Sequence, residues 1–272
     1  MMKSFSWLNP WNSLKKDCEE ILELTINSYD ERLLKILTYP KNSKEEMLKR
    51  IEELKAFGIK AIKLSGPKKI DNLSILGKGC VGLLVITLID NKEFALKIRR
   101  MDASRESLES EWHMQKIANL IGIGPKAYAC SKNFLLMELI KGLHFPEWIK
   151  SLKGKSKKKA LQKVVRKILM DCYKLDEIKL DHGELSRAPK HIIITNENEP
   201  IIVDFESSSI HRKPSNLTSI CQFLFIGSEV SKSISKILRI DKSALIKALR
   251  NYKANRSQES FFKLMNVCNL DF

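Results

Sequence analysis

Six residues, Gly77-Lys78-Gly79-Cys80-Val81-Gly82, limit the folds open to this chain. Glycines at this spacing let a backbone approach phosphates closely, but they also serve plain tight turns, so the flanking sequence decides. A dinucleotide-binding fold needs a helix directly after the glycines. Here the apolar run Leu83-Leu84-Val85-Ile86-Thr87-Leu88-Ile89 follows, then a turn at Asp90-Asn91 and a second run, Glu93-Phe94-Ala95-Leu96-Lys97-Ile98. Leu73-Ser74-Ile75-Leu76 precedes the glycines. The order is therefore strand, glycine loop, strand, hairpin, with Lys97 on the last strand, and the dinucleotide fold is excluded.

A second informative stretch runs from Leu180 to Ser207. His182-Gly183-Glu184 opens it, and the runs His191-Ile192-Ile193-Ile194 and Ile201-Ile202-Val203-Asp204-Phe205-Glu206 flank the polar loop 196–200. This reads as a β-hairpin with one acid near its entrance, Glu184, and another at its exit, Asp204. Acids at strand ends can hold a cation and accept a proton, as phosphoryl transfer requires. They are also common as solvated loop residues.

Elsewhere the periodicity is helical. Residues 11–57 read as helix, from Leu14, Ile21, Leu22, Leu24 and Ile26 to Pro40, then from a capping box at Ser43-Lys44-Glu45-Glu46 to a stop at Gly58. Strand texture begins at Ile59. Residues 104–121 read as an amphipathic helix, with Leu108, Trp112, Ile117, Leu120 and Ile121 apolar. Glu111 borders that apolar face and is the choice for a carboxylate partner of Lys97, ahead of Glu106 and Glu109. Phe134 to Ile140 reads as a buried strand ending near Glu138, and helices are expected over 217–225, 230–238, 243–252 and 260–267.

Taken in order, these elements resemble a small atypical protein kinase of the RIO and KEOPS-kinase type, most closely the archaeal predicted serine/threonine protein kinases. The resemblance covers residues 73–210. It implies an α+β, two-lobed kinase-like fold with a reduced C-lobe and an N-terminal helical extension: 1–65 extension, 66–140 N-lobe, 141–272 C-lobe. It also implies roles. Gly77, Gly79 and Gly82 would fold over the phosphates of ATP, and Lys97, held by Glu111, would orient them. Leu76, Leu84, Ala95 and Ile140 would wall the adenine, whose edge the backbone of Glu138 and Ile140 would read. Asp204 would bind Mg2+ or Mn2+, Glu184 would accept the proton of the attacking hydroxyl, and His182 would hydrogen-bond backbone near Asp204. The chain departs from the family at three points. Glu184 stands where the family has Asp, Glu206 replaces a glycine, and His191 occupies the place of a metal-binding Asn once two residues are allowed as an insertion.

The implied function is a serine/threonine-protein kinase acting on a protein substrate or on itself, or an ATPase in RNA metabolism. Two alternatives stand beside it: a small-molecule phosphotransferase, suggested by Asp204-Phe205-Glu206, and a pseudokinase, suggested by Glu184 and the missing Asn. Lys and Arg number 48 against 32 acids, a formal net charge of +16, which favours polyanionic partners but also suits a basic proteome. The run from Lys150 to Lys167 contains no acid and is either a solvated face or a contact for tRNA or rRNA. Six scattered cysteines without metal-ligand spacing, no signal-peptide pattern and no apolar run long enough to span a bilayer together predict a cytoplasmic protein without membrane partners.

Overall fold

Leu22-Glu23-Leu24-Thr25 buries Leu24 and exposes Glu23 and Thr25, and this two-residue alternation makes it a strand, β1 (Leu22–Thr25), where helix was expected. The computed structural model describes residues 22–27 and 29–270, so Leu14, Cys18 and Ile21 lie outside the described residues. Helix α1 (Glu31–Leu37) and helix α2 (Lys44–Ala56) follow. Half of the expected capping box forms: the Ser43 hydroxyl accepts from the Glu46 amide at 3.3 Å. The Ser43 amide instead donates to the Thr38 hydroxyl at 3.1 Å, and Glu46 pairs with Arg50. Met47, Ile51 and Leu54 are buried as their spacing predicts. The helix ends at Gly58, where the Gly58 and Ile59 amides return to the carbonyls of Lys55 and Leu54.

Strands β2 (Ala61–Leu64), β3 (Lys68–Ile70), β4 (Leu73–Ile75), β5 (Gly77–Lys78), β6 (Gly82–Ile89) and β7 (Lys92–Arg99) complete this part of the chain. β1, β2, β6 and β7 lie side by side in that order, all antiparallel, and β5 pairs with the start of β6. β6 and β7 are joined at Asp90 and Asn91, both left-handed, which matches the twist of a two-residue hairpin. Arg50, fully buried, donates to the carbonyls of Leu37 at 2.5 Å and Arg99 at 2.7 Å and so ties α2 to the ends of α1 and β7. The segment read as a helical extension is thus partly sheet, and its helices are fastened to that sheet.

The chain divides into two compact units, one ending at Ser104 and the other starting at Arg105. The second unit opens with α3 (Glu109–Leu120), whose buried face carries Glu111, Gln115 and Ala118, whereas Leu120 is exposed. Gln115 earns its burial by donating to the Pro125 carbonyl at 2.8 Å. Strands β8 (Ala127–Cys130) and β9 (Phe134–Glu138) form a hairpin, and β10 (Gly142–His144) leads into α4 (Phe145–Ser151). The long helix α5 (Lys157–Glu177) buries Leu161, Val164, Val165, Ile168, Leu169, Cys172 and Leu175 in one stripe. Each buried aliphatic side chain of that stripe stabilises the unit by roughly 1.5–3 kcal/mol. The expected hairpin appears as β11 (Ile192–Thr195) and β12 (Pro200–Ile202), with β10 on the far side of β11. The expected late helices appear as α6 (Asn216–Cys221), which continues as a wider turn to Ile226, α7 (Glu229–Leu238), α8 (Lys242–Ala254) and α9 (Gln258–Val267). The fold is α+β, and no helix among the described residues is long and apolar enough to cross a membrane.

Candidate functional site

In the first unit, the strand register places Gly77 opposite Leu84, Leu84 opposite Lys97 and Ala95 opposite Ile86. Because side chains alternate along a strand, Leu84, Ala95 and Lys97 share one face. Two of the four expected adenine-wall residues, Leu84 and Ala95, are therefore brought together with the lysine. Leu76 lies just before β5 and is half-buried. Lys97 is itself buried, and its stem crosses the glycine loop: a Cβ on Gly82 would sit 3.0 Å from Lys97 Cγ. A glycine at 82 is what allows that close approach. The Gly79 amide donates to the Gly82 carbonyl at 2.8 Å, closing the loop on itself. Arg100, which the sequence reading passed over, fastens the loop from below. Its guanidinium donates to the Gly79 carbonyl at 2.8 Å and its amide to Val81 at 2.8 Å. Tyr39 lies under both Arg100 and Lys78, whose cationic groups are 5.1 and 4.7 Å from the ring centre.

In the second unit, burial separates Glu111 from its rivals, since Glu106 and Glu109 are exposed. Lys97 and Glu111 belong to different units, and each is buried. Glu138 ends β9; its amide donates to the Lys126 carbonyl at 2.9 Å, so any reading of an adenine edge from Glu138 falls to its own carbonyl. Ile140 follows, half-buried.

The segments holding Glu184 and Asp204 are bound to each other along their length. Asp181 and Ser209 exchange both backbone hydrogen bonds, at 2.8 and 2.9 Å. The Asp181 carboxylate also accepts from Arg212 and from the Ser215 amide, each at 3.0 Å. His182 is fully buried; its amide donates to Asn216 Oδ1 at 2.8 Å and its Nε2 to the Val203 carbonyl at 3.1 Å. That is the backbone contact beside Asp204 expected of it. Burial, with His191 alongside, lowers the His182 pKa to about 4. Gly183 is left-handed, and a Cβ there would lie 2.7 Å from the Ser207 carbonyl oxygen, so only glycine lets the two segments approach this closely. Asp204 itself sits at φ 69°, an uncommon conformation for a residue with a side chain, while Phe205 beside it is fully buried and anchors the turn.

His191 lies between the two acids. Its Nε2 is 3.1 Å from Glu184 Oε2, and its Nδ1 is 3.8 Å from Asp204 Oδ2. With the proton on Nε2 donated to Glu184, Nδ1 carries a lone pair. It is buried without a hydrogen-bond partner and faces a carboxylate oxygen, which is an arrangement that a cation relieves. Ligand atoms on one Mg2+ lie at 2.0–2.1 Å from it, so two donors up to roughly 4 Å apart can share the ion. Asp204 and His191 therefore fit a divalent cation, with the carboxylate the better and the imidazole the poorer ligand for Mg2+ or Mn2+. Among the described residues no group of three or more His, Cys, Asp or Glu could hold a metal ion, so phosphate and water oxygens would complete the shell, as is usual for Mg2+. The second oxygen of Glu184, Oε1, accepts from the Ser207 hydroxyl, a contact that no motif in the sequence signals.

The pattern of the RIO domain family matches residues 88–221, from the end of β6 to the end of α6. The match includes Lys97, Glu111, Glu184, His191 and Asp204 but begins after the glycine loop. An uncharacterized protein of Methanocaldococcus jannaschii is 34% identical over 104 residues, which is 38% of this chain and 84% of that protein. A buried strand lysine, an acid pair assembled around a hairpin and these two matches have one account: the chain belongs to the RIO family of atypical kinases and ATPases.

Proposed function

We propose that this chain transfers the γ-phosphoryl group of ATP to a serine or threonine hydroxyl, on a protein substrate or on itself. The observation that supports the reading is the placing of His191 between Glu184 and Asp204, one carboxylate on either side of the ring. Asp204, with His191, would hold Mg2+ or Mn2+. That cation would neutralise charge on the phosphates and orient them. Lys97 and the amides of the glycine loop would bind the same phosphates, and Glu111 is proposed as the carboxylate that holds Lys97. Leu76, Leu84, Ala95 and Ile140 would contact adenine. Glu184 would take the proton of the attacking hydroxyl. Its contact with His191 keeps the carboxylate oriented, as a positioned base requires.

Incubation with γ-labelled ATP and Mg2+ or Mn2+ tests this. The expected outcome is labelled protein, reduced on the order of a hundredfold or more in Lys97→Met and in Asp204→Asn; phosphate released without label would make the chain an ATPase. Nucleotide binding with neither label nor free phosphate would instead make the chain a pseudokinase. Phosphorylation of a cationic small molecule with no protein labelling would favour the other phosphotransferase reading.

A role in RNA metabolism has its own support. Lys150, Lys153, Lys155, Lys157, Lys158 and Lys159 are exposed, and none of them pairs with an acid among the described residues. By contrast, Lys163 and Lys167 in the same run are neutralised by Glu199 and Asp171. We propose the unpaired set as a contact for tRNA or rRNA phosphates.

A further inference from the structure

Three serines follow the metal motif, and the structure gives each a different partner. The Ser208 hydroxyl donates to the His182 carbonyl at 3.3 Å, and the Ser209 hydroxyl accepts from the His211 amide at 3.1 Å. Only the Ser207 hydroxyl turns to a carboxylate, donating to Glu184 Oε1. The segment that presents it is held on both sides. Phe205 is buried before it, and the Asp181–Ser209 pairing closes after it. The Ser207 carbonyl itself accepts from Arg212 at 2.6 Å, and Arg212 is paired with Asp181. Ser207 is half-buried and lies three residues after Asp204, and the Glu184 side chain it meets is 43% exposed. A hydroxyl donating to a general base is the arrangement that a phosphoryl acceptor needs at the moment of attack. The methylene that distinguishes Glu184 from an Asp adds reach toward the Ser207 side of the loop.

We infer that Ser207 is the chain's own phosphoryl acceptor, modified in cis. The inference rests on the kinase reading above. In this step the Ser207 Oγ–P bond forms as the bond between the γ-phosphorus and the β,γ-bridging oxygen breaks. The hydroxyl proton passes to Glu184, and ADP leaves with the bridging oxygen. Once Glu184 has released that proton to solvent, the phosphoserine dianion stands against its carboxylate, so the product opposes a second use of the same base.

The test is to incubate the full-length chain with labelled ATP and Mg2+ or Mn2+, map the modified residue by mass spectrometry and measure released phosphate in parallel. Label is expected on Ser207, at a first-order rate independent of protein concentration. It should fall at least tenfold in Ser207→Ala, persist in Ser208→Ala and in Ser209→Ala, and appear on the new hydroxyl in Ser207→Thr. Labelling elsewhere, with Ser207 unmodified in the wild-type chain, overturns this inference and leaves the kinase reading standing, whereas phosphate release with no labelled residue overturns both and makes the chain an ATPase. A label on Ser207 whose rate rises with protein concentration overturns the cis assignment. Neither label nor phosphate from the wild-type chain overturns both readings.

Discussion

His182 shows how one side chain couples the site to stability. It is fully buried and neutral, with Nε2 on the Val203 carbonyl, and its pKa in the folded chain is lowered from 6.5 to about 4, chiefly by burial. An unfolded chain takes up this proton near pH 6.5, whereas the folded chain resists it until about pH 4. Between those values the unfolded state binds more protons, so stability is full above about pH 6.5 and is lost as pH falls toward 4. The loss is on the order of 3 kcal/mol. Urea unfolding between pH 7 and pH 4, without nucleotide or divalent cation, should show this decline, and His182→Gln should flatten it. Parallel curves for the two proteins would dismiss His182 as the titrating group.

The helices of the second unit position that histidine through one carboxylate. Asp176, buried near the end of α5, accepts from the Asn216 amide at 2.9 Å, from Asn216 Nδ2 at 2.8 Å, from the Leu217 amide at 3.3 Å and from the Tyr252 hydroxyl at 3.1 Å. It thereby caps the start of α6 and holds α8, and Asn216 passes the order on to the His182 amide. Burial raises the Asp176 pKa, and these donors oppose the rise. Asp176→Ala strands several buried donors and should cost roughly 3 kcal/mol or more. Asn216→Ala combined with it should show a coupling of about 0.5–3 kcal/mol in denaturant unfolding, because the two residues act as one network. Strict additivity would mean that the helices hold the segment independently of this contact.

At the scale of the whole molecule, charge is the dominant property. The excess of 16 positive charges is not spread evenly over paired residues, because among the described residues the lysines from Lys150 to Lys159 have no acid partner while Lys163 and Lys167 on α5 are neutralised. If those lysines meet phosphates, affinity for tRNA should fall steeply with salt. Replacing Lys157, Lys158 and Lys159 by Gln should reduce the log–log salt slope by roughly 2 to 3. Fluorescence titrations from low to moderate salt measure this, and an unchanged slope would remove these lysines from the interface.

Much of the fold was legible in local patterns. The glycine loop with its hairpin, the 192–202 hairpin, the C-terminal helices and the positions of Lys97, Glu184 and Asp204 follow from spacing of two or near three and a half residues, from turn residues and from caps, all of which act over a few positions. The tertiary structure decided what depends on distant partners. It made Leu22–Thr25 a strand by pairing it with β2, and it buried Gln115 on α3 while leaving Leu120 in solvent. Arg100 found the Gly79 carbonyl 21 residues away, and Ser207 found Glu184 across 23. No periodicity encodes such contacts. The Ser207 contact exists because Asp181 pairs with Ser209 and Asp176 holds Asn216, which brings a histidine, two acids and a serine hydroxyl into one place.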